Sequence, residues 1–140
     1  DGATNVVPAT CWLSGECRST SVERARAERA AMDDAMRTAA AQAHGSVDIQ
    51  WRTDYLPISY DEYDPLVQSV VTAARAAGLT PRLHASGGGA DANILAGRGV
   101  RAITLATGMA NYHSRDEYIT VENLEGTARL VEQLILGARK

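Results

Sequence analysis

Residues 81–107 read PRLHASGGGADANILAGRGVRAITLAT, and their punctuation decides the fold class. PRLHAS has the pattern of a short strand, SGGGADANILAGRG that of a glycine-rich turn opening a short helix, and VRAITLAT that of a continuous apolar strand. A strand, a helix and a second strand in this order normally make a parallel pair with a right-handed crossover. The stretch therefore predicts an α/β layer.

The neighbouring segments extend it. Before it, Asp64 and Pro65 read as the cap and first residue of a helix. Leu66, Val67, Val70, Val71, Ala74 and Ala77 form its buried face, and Gly78 ends it. After it, Val121, Leu124, Ala128, Val131, Leu134 and Ile135 mark a C-terminal helix capped by Thr120.

The first third follows the same scheme. In TCWLSGECR, Cys11, Leu13, Gly15 and Cys17 alternate with Trp12, Ser14, Glu16 and Arg18, as in a half-buried strand. Thr20 and Glu23 make a capping box for a helix whose core stripe is Val22, Ala25, Met32, Met36, Ala39 and Ala43, ending at Gly45. VDIQWRT is a second strand with Val47, Ile49 and Trp51 on one face. Two strands and one helix are too few to stand alone. The first strand begins close to residue 1, so further strands are expected upstream. YLPISYDEYDP, rich in proline, tyrosine and acid, reads as a solvated linker between two pieces, residues 1–58 and 59–140.

Composition removes several function classes. The 140 residues carry a net charge of −3, which is no footprint for nucleic acid or an anionic membrane. An apolar content of 45% with 22% charged residues is globular. There is no secretory signal pattern and no run near the ~20 apolar residues of a membrane span. On one strand Cys11 and Cys17 would stand about 20 Å apart, beyond the ~4.4–6.8 Å between Cα atoms that a disulfide tolerates. Reduced, core-facing thiols and a cytoplasmic location are expected.

The chemistry gathers in two loops. In SGGGAD, three glycines allow close approach of a ligand to the backbone, and a helix N-terminus favours an anion. The same glycines also suit a tight turn with positive φ, and Asp91 suits a cap. Neither G-x-G-x-x-G nor a G-K-[ST] ending is present, which weakens a nucleotide loop. In NYHSRDEY, residues 111–118, His113 lies in a polar loop beyond the apolar strand, where ligands of open α/β sheets bind. A lone histidine is a ligand or a structural residue, and no H-E-x-x-H, C-x-x-C or H-x-H spacing accompanies it. His44 and His84 have no partners at ligand spacing.

GATNVVP with its strand, GECRS and the first helix resembles the middle and end of the lid, or dimerisation, domain of the dinuclear zinc metallopeptidases, the family of aminoacylase, glutamate carboxypeptidase and peptidase T. DPLVQ, SGGGADANIL, the apolar strand and NYHSRDEYI resemble the close of that family's catalytic domain, in the same order. The resemblance is to the C-terminal portion of a peptidase T-like member and covers nearly all of the chain. It implies part of a ferredoxin-like lid followed by the C-terminal part of a three-layer α/β/α zinc-peptidase domain.

The implied activity is exopeptidase hydrolysis of a peptide or N-acyl bond in a short peptide, of aminopeptidase or tripeptidase type. The complete enzyme would use two divalent ions, zinc with cobalt or manganese as substitutes, and would dimerise through the lid. By resemblance, His113 is the last metal ligand. Asn5 and Arg18 reach the substrate, and Gly87, Gly88 and Gly89 lie near its terminal carboxylate. Ala90 stands where many relatives have serine. The family's general base and remaining ligands lie upstream of the lid, so this chain alone is expected to be inactive and to hold no metal firmly. A non-catalytic dimerisation module and a phosphate- or nucleotide-binding domain are the alternatives.

Overall fold

The computed structural model describes residues 5–138. Among them are four helices: α1 (Val22–Gln42), α2 (Pro65–Ala76), α3 (Asp91–Gly97) and α4 (Val121–Gly137). The chain divides into two units, Asp1–Gln50 and Trp51–Lys140.

In the first unit, α1 is capped by Ser21, whose hydroxyl accepts the Arg24 N–H at 3.2 Å. This corrects the reading that made Thr20 the cap. The Ser21 hydroxyl also donates to Glu23 at 3.0 Å. The Glu23 backbone N–H, then this hydroxyl and the charge of Arg26, hold the Glu23 carboxyl below its ordinary pKa. No residue of α1 is buried; Val22, Ala25, Met32 and Met36 are half-buried, joined by Ala40 rather than by Ala39 and Ala43. The expected core-facing thiol of Cys11 is exposed and Cys17 is half-buried.

Three of the helices end in the same way. After α2, Gly78 takes a φ of 76°, its N–H reaches Arg75 O, and the Leu79 N–H reaches Ala74 O. After α3, Gly99 (φ 82°) and Val100 bond back to Ala96 and Leu95. After α1 the left-handed residue is His44 (φ 54°), one position before the glycine expected there, and Gly45 makes the longer bond to Ala40 O. This reciprocal pair of bonds satisfies carbonyls that the end of a helix leaves bare.

None of the four strand-like runs is a strand among the described residues, and the one bridge is antiparallel, between Ala110 and Tyr118. The alternation that suggested them is nonetheless visible. Val47, Ile49 and Trp51 are half-buried while Asp48, Gln50 and Arg52 are exposed, and Ile103 and Leu105 are half-buried beside exposed Thr104 and Ala106. Alternation selects which side chains turn inward, whereas a ladder also needs a neighbouring backbone to complete it.

The second unit is built on the packing of α2 against α4. Ala73, Ala74 and Ala77 of α2 and its C-cap meet Leu130 of α4, with Leu79, Leu105 and Leu134 against them. Val67 and Val71 are also buried, as the α2 periodicity predicts. On α4 the buried positions are Gly126 and Leu130, whereas Val121, Leu124, Val131 and Ile135, read as the core face, are exposed. The helix carries two apolar stripes, and the alanines of α2 receive only one of them.

The tyrosine-rich segment is mostly exposed, but its residues Tyr60 and Asp64 are engaged. Tyr60 accepts the Ala102 N–H at 3.2 Å and stacks under the Arg101 guanidinium. Arg101 in turn pairs with Asp64, whose carboxylate also caps α2 by accepting the Leu66 N–H at 2.8 Å. These bonds lie within the second unit, Trp51–Lys140. The chain exposes 11920 Å², against roughly 7000 Å² for a folded monomer of this mass. Among the described residues no side chain is fully buried, so each core contact weighs heavily.

Gly78 and Gly97 both have open space around a would-be Cβ, but only Gly78 has a positive φ. We predict that Gly78→Ala costs about 1 kcal/mol in urea unfolding, while Gly97→Ala, inside α3, is neutral or stabilising. Equal effects of the two substitutions would remove the left-handed cap as the cause.

Candidate functional site

The candidate residues fall in both units. Asn5 and Arg18 are in the first; Gly87, Gly88, Gly89 and His113 are in the second. Asn5 is exposed. Arg18 is exposed and bonds to Glu16 at 2.9 Å.

The glycine loop is shaped by neighbours that sequence reasoning passed over. None of Gly87, Gly88 and Gly89 has a positive φ, so a tight left-handed turn is not what they serve. A Cβ on Gly89 would overlap the phenol of Tyr55. Around Gly87 there is nothing within 4 Å of a would-be Cβ, and around Gly88 only Ser86 Oγ at 3.4 Å. The fold thus requires glycine at 89 and leaves 87 and 88 open. The Gly88 N–H donates to Ser86 Oγ at 3.1 Å.

At the start of α3, Ala90 is the N-cap and Asp91 the first helical residue, so Asp91 is not the cap. The work of a cap is done from inside the helix: Asn93 Oδ1 accepts the Ala90 N–H at 3.0 Å, and Asn93 Nδ2 donates to Leu56 O at 2.9 Å. Asn93 therefore ties the glycine loop to the segment that also carries Tyr55. Its spacing from the glycines, three residues into the helix, is the signal that marks it. A shallow groove lies alongside, lined by Leu56, Pro57, Ile58, Asn93 and Ala96.

The histidine loop is anchored at its base by α4. Thr120 caps that helix by accepting the Asn123 N–H at 3.2 Å. The Asn123 amide donates to Gly108 O at 2.9 Å, and the Thr127 hydroxyl, 2.9 Å from Asn123 O, also lies 3.3 Å from Thr107 O. Gly108 has a φ of 77°, and a Cβ there would stand 2.7 Å from Asn123 Nδ2, so glycine is demanded twice. Beyond it, Ala110 and Tyr118 exchange bonds of 2.9 and 3.2 Å and pinch the loop closed.

Inside that pinch the loop bonds to itself. Ser114 gives both its N–H and its hydroxyl to Asn111 O, at 3.2 and 2.6 Å. The Asp116 N–H goes to Ser114 Oγ, and Asn111 Nδ2 reaches Asp116 O. Asn111 and His113 both have left-handed backbones, at φ 53° and 66°. The His113 N–H donates to Glu117 Oε2 at 2.8 Å, and its ring stands edge-on to Tyr112 at 5.8 Å. The result is an exposed imidazole on a strained but well-bonded loop, the kind of conformation that collects at functional sites.

An exposed neutral imidazole can ligate a divalent metal, but a centre needs at least three protein ligands. No group of three or more His, Cys, Asp and Glu residues able to hold a metal ion occurs among the described residues. The donors present fit one corner of a metal site and do not make a centre by themselves. Among the described residues no helix is long and apolar enough to cross a membrane.

Against known proteins, a family model described as Peptidase family M20/M25/M40 matches residues 3–137. The uncharacterized protein YqjE of Bacillus subtilis (strain 168) is 33% identical over 137 residues, which is 98% of this chain and 37% of that protein. Peptidase T of Shouchella clausii (strain KSM-K16) is 29% identical over 90 residues, 62% of this chain and 22% of that one. In the crystal structure of aminopeptidase PepT from Bacillus cereus ATCC 10987, 32% of the chain superposes on 86% of this one, with a TM-score of 0.72 and 37% identity. The matches thus span between about a fifth and about two fifths of the length of these relatives: 37%, 22% and 32%.

The contact between Gly89 and Tyr55 supplies a test. We predict that Gly89→Ala destabilises the second unit by about 1–3 kcal/mol through overpacking, and that the cost shrinks when Tyr55→Ala is combined with it. Additive losses in urea unfolding of the four chains of this cycle would show the two positions to be independent.

Proposed function

The chain belongs to Peptidase family M20/M25/M40, and from that footing we propose that it is the C-terminal part of a metal-dependent exopeptidase acting on short peptides. The observation that carries the reading is His113, exposed on a loop whose backbone is bonded at every turn, in a chain matched by the family model nearly end to end. His113 holds one of two divalent ions through a neutral ring nitrogen. Bound metal would polarise the scissile carbonyl and lower the pKa of the attacking water. The general base and the other ligands come from outside these 140 residues, so the chain needs them to turn over substrate.

Its remaining residues bind and orient. Gly87 and Gly88, which the fold does not require to be glycine, leave room for the terminal carboxylate of a peptide beside the backbone. Asn5 donates to the developing oxyanion, and Arg18 holds a substrate carboxylate with its planar fork. The exposed ion pair of Arg18 with Glu16 contributes only about 0–1 kcal/mol.

In the same reading, residues 1–58 are part of a ferredoxin-like lid and residues 59–140 close a three-layer domain. The lid pairs two protomers: α1 has no buried residue, and Trp12 and Leu13 are 93% and 86% exposed. Free Cys11 and Cys17 suit a reducing cytoplasm.

The test is zinc titration and tripeptide hydrolysis with the protein purified from its own cells. We predict that His113→Ala weakens zinc binding and lowers hydrolysis by about 100-fold or more, with unchanged unfolding midpoint. Undiminished zinc affinity in that variant would sink the assignment.

A further inference from the structure

His113 has a left-handed backbone without glycine's freedom, a conformation that costs a residue with a Cβ and that local hydrogen bonds can steady. Asn111, also left-handed, belongs to a residue type that adopts this region more readily and uses its own carbonyl and amide to brace the loop. For His113 the brace comes from four residues ahead. The Glu117 carboxylate accepts the His113 N–H at 2.8 Å. Glu117 is itself fixed on both sides: its N–H bonds to Ser114 O at 3.4 Å, and the next residue, Tyr118, makes the bridge to Ala110.

We infer that Glu117 is a positioning residue for His113: by accepting the His113 backbone N–H, its carboxylate holds the loop conformation that orients the imidazole toward a metal. The inference rests on the reading of His113 as a ligand. A carboxylate acceptor makes a stronger bond to an amide than a neutral oxygen does. Fixing a ligand's backbone removes the freedom that metal binding would otherwise have to restrict. Arg115 and Asp116 lie on the loop's exposed surface, and the Asp116 N–H is engaged by Ser114 Oγ.

Two measurements separate this inference from the reading beneath it. The first is amide hydrogen exchange at His113 in the metal-free 140-residue chain, for wild type, Glu117→Ala and Glu117→Gln. Exchange should be about 10-fold faster in Glu117→Ala, the loss of one charge-assisted bond, and within about 3-fold of wild type in Glu117→Gln, which keeps an acceptor oxygen. The second is zinc titration of the same variants in the protein from its own cells. Affinity should fall by about 10-fold or more with alanine and be largely retained with glutamine.

Unchanged exchange in Glu117→Ala overturns the brace, whatever zinc does. Faster exchange with undiminished zinc affinity overturns the positioning role of Glu117 and leaves the ligand reading of His113 to the His113→Ala test. Glutamine that protects the amide yet loses zinc would make Glu117 a ligand in its own right and overturn the positioning role.

Discussion

The second unit depends on small side chains that let two helices approach. Ala73, Ala74 and Ala77 offer α4 a nearly flat surface, and Leu130 fills the space they leave. Gly126, one turn earlier on α4, is buried, and a Cβ there would come within 3.3 Å of Leu79 Cδ2. Leu79 itself arrives through the left-handed Gly78, whose turn both ends α2 and delivers the next residue to the core. Burying a side chain such as Leu130 contributes about 1.5–3 kcal/mol, a large share where few others are buried. Backbone turn and helix packing are therefore one device.

That packing fixes the position of α4, and α4 fixes the histidine loop. The first turns of the helix hold Thr107 and Gly108 through Thr127 and Asn123, so the loop leaves the apolar run at a set point and in a set direction. The Ala110–Tyr118 bridge then closes it. The placement of His113 is thus inherited, through a chain of hydrogen bonds, from alanines and a leucine that never touch it. The glycine loop has a comparable but separate support, in Tyr55 behind Gly89 and Asn93 bridging to Leu56.

Open surface is the counterpart of this economy. The second stripe of α4, with Val121, Leu124, Val131 and Ile135, is exposed, and the strand-like runs form no strand ladder among the described residues. The chain spans 37% of its Bacillus subtilis relative. A sheet is a collective structure, and a run with perfect alternation remains unpaired until another backbone lies beside it.

The sequence by itself determined what depends on neighbours a few residues away. Asp64 before Pro65, Thr120 before Val121, and Gly78 after α2 are all legible, because a cap or a left-handed turn is settled by local hydrogen bonds and by the presence or absence of a Cβ. Even so, at α1 the competition between Thr20 and Ser21, and between His44 and Gly45, was a matter of one residue that periodicity does not resolve. The loops that carry the candidate chemistry were also legible, since glycines and a polar histidine segment punctuate the apolar runs.

Only the tertiary structure decided what each of those residues meets. It made Gly89 a seat for Tyr55, turned the tyrosines of an apparent linker into supports, chose between the two stripes of α4, and set Glu117 against the His113 amide. These are contacts whose geometry depends on how the backbone folds around them, and neither composition nor spacing encodes that directly. The rest of a metal centre is of the same kind: His113 can be recognised as a donor from its loop, but three ligands become a site only where a fold brings them within bonding distance of one ion.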